Sequence, residues 1–129
     1  MTVSSASGVT SFSSLPLYAS TKAFSRFLGL CLTEEQRDKI DCLTICPGPM
    51  KTDLLKGYNF ADATTPDLAA QYIIDRIGVV EETSISLFQD FSFYCLVPPV
   101  FFIHHSLWNY IQEKVYLPSS KELAKANDR

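Results

Sequence analysis

The chain has 129 residues, 47% of them apolar and 19% charged, with a formal net charge of −3. That is one domain at most, too apolar for a disordered segment and too weakly charged, with the wrong sign, to hold nucleic acid. Four cysteines (Cys31, Cys42, Cys46 and Cys95) form no Cys-x-x-Cys pair and no metal-ligand spacing, so neither a disulfide framework nor a metal site is expected. Reduced, buried thiols in a cytosol-facing protein are the reading instead.

Residues 1–16 read as the end of a parallel strand at Val3 followed by a loop rich in Ser, with Gly8 and Pro16 as further turn chemistry. Met1 is followed at once by Thr2 and Val3, without the pattern of a signal peptide. The upstream part of that strand is expected to be missing. Residues 17–37 are predicted to be a helix: Phe24, Phe27, Leu28, Cys31 and Leu32 recur at three and four and make one apolar stripe. Gly29 inside it costs about 1 kcal/mol against Ala, which marks a close approach to another element.

Residues 40–46 are short and mostly apolar, as in a parallel strand covered on both faces, and Pro47-Gly48-Pro49 ends the run. A loop over 53–64 carries Tyr58 and Phe60. Thr65-Pro66-Asp67 opens a second helix with Thr65 as N-cap, and Leu68, Ala69, Tyr72, Ile73 and Ile77 are its expected buried face. Residues 83–88 alternate like a further strand. Between Asp90 and Glu113 no Asp, Glu, Lys or Arg occurs. A single spanning helix needs about 20 predominantly apolar residues, and Pro98-Pro99 divides this stretch. Two helices, roughly 89–97 and 99–116, are predicted, dipping into a bilayer interface or covering an acyl channel. Adjacent helical His104 and His105 point about 100° apart and read as structural histidines, not as metal ligands.

Chemistry concentrates on Tyr18 and Lys22. Four residues apart on a helix, they share one face. A phenol titrates near 10, too high for proton transfer at neutrality, and a neighbouring ammonium stabilises the phenolate form. The spacing alone identifies nothing, because Tyr110 and Lys114 repeat it. Only the first copy has Ser5 thirteen residues upstream and Pro47-Gly48-Pro49-Met50-Lys51-Thr52 downstream. Tyr110/Lys114 reads as an ordinary amphipathic helix.

With these residues in place, the chain resembles the C-terminal half of a short-chain dehydrogenase/reductase. Ser5, Tyr18 and Lys22 match that family's catalytic Ser, Tyr and Lys. Pro47, Gly48 and Thr52 match its Pro-Gly-x-x-x-Thr segment, with Met50 where Val or Ile is commoner. The Ser20-Thr21-Lys22-Ala23-Phe24 text, Leu32-Thr33-Glu34-Glu35 and the aromatic tail look most like the membrane-associated branch of very-long-chain 3-oxoacyl-CoA reductases and 17β-hydroxysteroid dehydrogenases. The motif match covers residues 3–52, and beyond residue 65 only the general pattern is similar.

The resemblance implies an α/β fold, the C-terminal part of a Rossmann-like doubly wound parallel sheet, incomplete here, with an apolar helical tail. Residues 1–88 would be the catalytic half, 89–117 the tail and 118–129 a polar end. It implies NADP(H), or alternatively NAD(H), held by Tyr18, Lys22, Pro47, Gly48, Met50 and Thr52. A ketone substrate of acyl-CoA or steroid type would meet Ser5, Tyr58 and Phe60. It also implies a homodimer through helix 17–37, membrane contact through 89–117, and residence on the cytosolic face of the endoplasmic reticulum or otherwise in the cytoplasm. The five glycines are scattered and form no Gly-rich pyrophosphate turn, so these 129 residues alone are not expected to bind the cofactor tightly. The alternative is a truncated, non-enzymatic fragment that binds a partner or a membrane.

Overall fold

The computed structural model describes residues 1–10, 15–55, 60, 63–96 and 110. Among them the chain is mixed α/β, with a three-stranded parallel sheet and three helices. Strands β1 (Thr2–Val3), β2 (Thr44–Ile45) and β3 (Glu82–Thr83) lie in the order β1-β2-β3. Thr2 pairs with Thr44 and Thr44 with Glu82, while Val3, Ile45 and Thr83 form the next rung. Parallel neighbours need a crossover. Helix α1 (Pro16–Gln36) lies in the first connection and α2 (Pro66–Ile74) in the second. Helix α3 (Leu87–Asp90) follows β3 and runs into a π-helical stretch, Phe91–Leu96.

Successive strand residues point to opposite faces of a sheet. Leu43 and Ile45 therefore share one face, where they pack with Ala69 of α2 and with Ile85. Met50, Ile73 and Val80 close that core from its edges. Thr44 faces the other way, against α1. There Gly29 lies so close that a Cβ added to it would sit 2.2 Å from Thr44 Oγ1 and 3.1 Å from Thr2 Cβ. Arg26 of α1 reaches across the same face to a bidentate ion pair with Glu82 of β3, its Nη2 at 2.9 Å from Oε2.

Several expectations change. The strand predicted over 40–46 is confined to Thr44–Ile45, although Leu43 O still accepts from Thr2 N–H at 2.8 Å. The strand predicted over 83–88 is wrong: Glu82–Thr83 is the strand and Leu87–Asp90 is helical. Ser86 makes the difference, since its backbone is extended and its hydroxyl accepts from Gln89 N–H, an N-cap that starts a helix. On α1 the apolar stripe faces outward, with Phe24 68% and Phe27 59% exposed, and the small residues Ala19, Gly29 and Thr33 are the buried ones. On α2, Ala69 is buried and Tyr72 and Ile73 half-buried, whereas Leu68 and Ile77 are exposed and the helix stops at Ile74. Thr65 occupies the N-cap position without a side-chain capping bond. Of the four thiols only Cys46 is buried; Cys31 and Cys95 are exposed and Cys42 is intermediate. No helix among the described residues is long and apolar enough to cross a membrane. The segment 99–116 lies outside the described residues except for Tyr110, as do His104, His105 and Lys114.

Candidate active site

The carboxyl ends of β1 and β2 lead into two loops that are fastened to each other and to α1. Beyond β1 the chain makes a short 3-10 turn, Ala6–Gly8, for which Ser5 is the N-cap. Ser5 Oγ accepts from Ser7 N–H at 3.3 Å and from the Ser7 hydroxyl at 3.1 Å. Both bonds use Ser5 Oγ as acceptor, so its own O–H is not spent on Ser7.

Ser4, not Ser5, is the structural serine. It is buried, and its hydroxyl donates to the Lys22 carbonyl at 2.6 Å. Gly8 is pressed on the same turn of α1, where an added Cβ would meet the Lys22 carbonyl carbon at 2.7 Å. The other loop is tied in by Ala6 N–H, which donates to Pro47 O at 2.9 Å. The turn holding Ser5, the backbone at Lys22 and the start of the Pro47–Thr52 segment are thus parts of one rim.

One turn before Lys22 on α1, Tyr18 is 45% exposed, and the Lys22 ammonium lies 5.7 Å from its ring centroid. Lys22 is in no ion pair among the described residues. Gly48 N–H donates to Gln89 Oε1 at 3.0 Å. Met50 makes an isolated parallel bridge with Thr64 and packs against the core. Thr52 is exposed, and its hydroxyl makes a long bond of 3.4 Å to Met50 O. Phe60 is half-buried in the following loop, with its carbonyl accepting from Ala63 N–H, and Tyr58 lies outside the described residues.

No family model, curated protein or solved structure matches this chain.

Within the chain, Tyr18 is set apart from two other phenols. Tyr72 also has a cation four residues on, with the Arg76 guanidinium 3.3 Å from its ring centroid. Its hydroxyl, however, donates to Asp90 at 2.7 Å, and burial followed by that carboxylate pushes it up to about 12. Tyr94 is pushed up further, first by burial and then by the Glu82 carboxylate. Cys46, fully buried with its thiol donating to Glu82 at 3.3 Å, is raised to about 12 by burial and then by Glu82. All three are held protonated at neutral pH, which removes them as bases or nucleophiles there. Among the described residues Tyr18 is the phenol that combines exposure with a neighbouring cation in no ion pair.

Sequence reasoning singled out Ser5, Tyr18 and Lys22 by spacing but missed Ser4, Gln89 and the Arg26–Glu82–Cys46 group. Ser4 had no signal beyond its place in a Ser-Ser pair. Gln89 had one: Ser86-x-x-Gln89 is a capping-box pattern, which locates a helix start.

Proposed function

We propose that the chain is the catalytic half of a short-chain dehydrogenase/reductase, an NADP(H)-dependent ketone reductase built on a Rossmann-like doubly wound sheet that a nucleotide-binding half completes. The observation that carries this reading is the fastening of the Ser5 turn, Lys22 and Pro47 into one rim at the ends of two parallel strands, the edge where open α/β sheets take ligands.

The residues fit the nicotinamide and ribose end of the cofactor. The unpaired Lys22 ammonium would hold ribose hydroxyls. Pro47, Gly48 and Met50 would line the ring, and the exposed Thr52 hydroxyl would meet the carboxamide. When bound, the nicotinamide would supply hydride chemistry at a substrate carbonyl carbon. Ser5 would donate its hydroxyl proton to the carbonyl oxygen and hold it in place. Tyr18 would deliver the proton that turns this oxygen into a hydroxyl, and the Lys22 cation would stabilise the phenolate left behind. Acyl-CoA and steroid ketones are the proposed substrates, with Tyr58 and Phe60 bordering the apolar part of the site.

The same reading takes the exposed stripe Phe24, Phe27, Leu28 and Leu32 as the surface of a homodimer, and residues 89–117 as a contact with the endoplasmic reticulum membrane on its cytosolic face. Light scattering tests the first. Vesicle flotation with and without 89–117 tests the second.

The deciding experiment is Tyr18→Phe in the protein that joins this chain to a nucleotide-binding half. NADPH-dependent ketone reduction should fall by about 10²–10⁴-fold with cofactor binding nearly intact. Activity within a few-fold of the parent ends the assignment. The 129 residues alone should bind NADPH weakly, and micromolar affinity would support a different cofactor site.

A further inference from the structure

Pro47-Gly48-Pro49 contains a single backbone donor, because proline has no N–H. Two of its carbonyls are satisfied by backbone: Pro47 O accepts from Ala6 N–H at 2.9 Å and Pro49 O from Thr64 N–H at 3.3 Å. The lone N–H, that of Gly48, has no strand neighbour to pair with. It donates instead to the side chain of Gln89, and the same amide donates back through Nε2 to Pro49 O at 3.2 Å. Gln89 is fully buried, and an added Cβ on Gly48 would lie 2.9 Å from Gln89 Cδ. The amide thus lies against Gly48 and grips the segment at two points, as a neighbouring peptide would in a sheet.

The helix that carries this amide is itself anchored. Ser86 Oγ accepts from Gln89 N–H at 3.2 Å. The next residue, Asp90, accepts from Ser84 N–H at 2.6 Å, Tyr72 Oη at 2.7 Å and Thr83 Oγ1 at 3.1 Å. Asp90 therefore binds α3 to the end of β3 and to α2, while Gln89 carries that fixed reference across to the loop after β2.

We propose that Gln89 is a positioning residue for the Pro47–Thr52 segment: its side-chain amide holds the Pro47–Gly48 peptide by its N–H and the Pro49–Met50 peptide by its carbonyl, and so fixes where Met50 and Thr52 stand against a nicotinamide ring. The proposal rests on the reductase reading for its functional part. The tether itself stands on the bonds above and is testable without turnover.

Two variants separate the roles. Gln89→Met keeps the length and apolar bulk and removes both hydrogen bonds, while Gln89→Glu keeps an acceptor for Gly48 N–H and loses the donor to Pro49 O. Amide hydrogen exchange at Gly48 should quicken by about tenfold or more in Gln89→Met and stay near the parent rate in Gln89→Glu, as the loss of one buried bond requires. In the protein joined to its nucleotide-binding half, Gln89→Met should lower kcat by about 10–100-fold, the scale of a 1 Å misplacement. It should also raise KM for NADPH and enlarge the isotope effect with deuterated NADPH, with Gln89→Glu in between. A residue that merely holds the fold together would reduce the folded fraction and leave these three quantities unchanged. Gly48 exchange unaltered in Gln89→Met overturns the tether. Values of kcat, KM and isotope effect within twofold of the parent, on folded Gln89→Met, overturn its positioning role. If the parent itself reduces no ketone with NADPH, the reductase reading fails together with the functional part, and Gly48 exchange alone still decides the tether.

Discussion

Replacing Gly29 by alanine should destabilise the protein, although alanine is the better helix former. In a helix interior the exchange gains about 1 kcal/mol from propensity. Against this stands a methyl group placed 2.2 Å from Thr44 Oγ1 and 3.1 Å from Thr2 Cβ. Thr44 cannot swing aside: it is fully buried on the central strand, and its branched side chain has few rotamers. Relief requires α1 to lift off the sheet, which loosens the Arg26–Glu82 pair and the seat of Lys22 on Ser4 and Gly8. Overpacking of this kind costs about 1–3 kcal/mol. With a buried, branched partner and a helix that must move, the upper part of that range applies, about 2–3 kcal/mol. The net expectation is a loss of about 1–2 kcal/mol, read in urea as a midpoint lower by about 0.5–1 M. The partner of the clash offers a check. Thr44 Oγ1 is buried with no hydrogen-bond partner among the described residues, so Thr44→Val should be neutral or stabilising. In a Thr44→Ala background Gly29→Ala should cost at least about 1 kcal/mol less, a coupling expected only of side chains in contact. A Gly29→Ala midpoint above the parent's would refute the reasoning, because helix propensity would then have won and α1 could not lie as close as described.

Glu82→Gln leaves the part-buried Arg26 facing a neutral amide and should lower stability by about 1–3 kcal/mol in thermal denaturation, the range for a lost charged hydrogen-bonding partner. The folded state raises the Tyr72 phenol to about 12, above an unfolded value near 10, so it binds that proton more tightly than the unfolded chain does. This stabilisation is complete below about pH 10 and is lost as pH rises towards 12. Melting temperatures of Tyr72→Phe should therefore fall less steeply than the parent's across that window. Iodoacetamide near pH 8 should label Cys31 and Cys95 in the native protein and reach Cys46 only on unfolding, with mass spectrometry locating the adducts. Early labelling of Cys46 would contradict its burial.

The features legible in the sequence are those that depend on near neighbours in the chain. The 3.6-residue period placed α1 within one residue of its observed ends and put Tyr18 and Lys22 on one face, because a helix repeats the same geometry at every turn. Short elements were harder to read. Ser84-Ile85-Ser86-Leu87 alternates like a strand over too few residues to distinguish the two periods, and the Ser86 cap with Gln89 three residues later was the better guide.

By itself, then, the amino-acid order determined that α1 is amphipathic, that Tyr18 and Lys22 are neighbours, and that Pro47-Gly48-Pro49 breaks a strand. Only the tertiary structure decided which side of α1 meets the sheet. The small residues Ala19, Gly29 and Thr33 took that side and left Phe24 and Phe27 outside, because the distance between helix and strand is set by both elements together. Tertiary structure alone also brought Ser4 to Lys22 and Gln89 to Gly48. A hydrogen bond spanning 18 or 41 residues leaves no periodic trace in the chain; it exists only once the sheet has brought the loops to one edge.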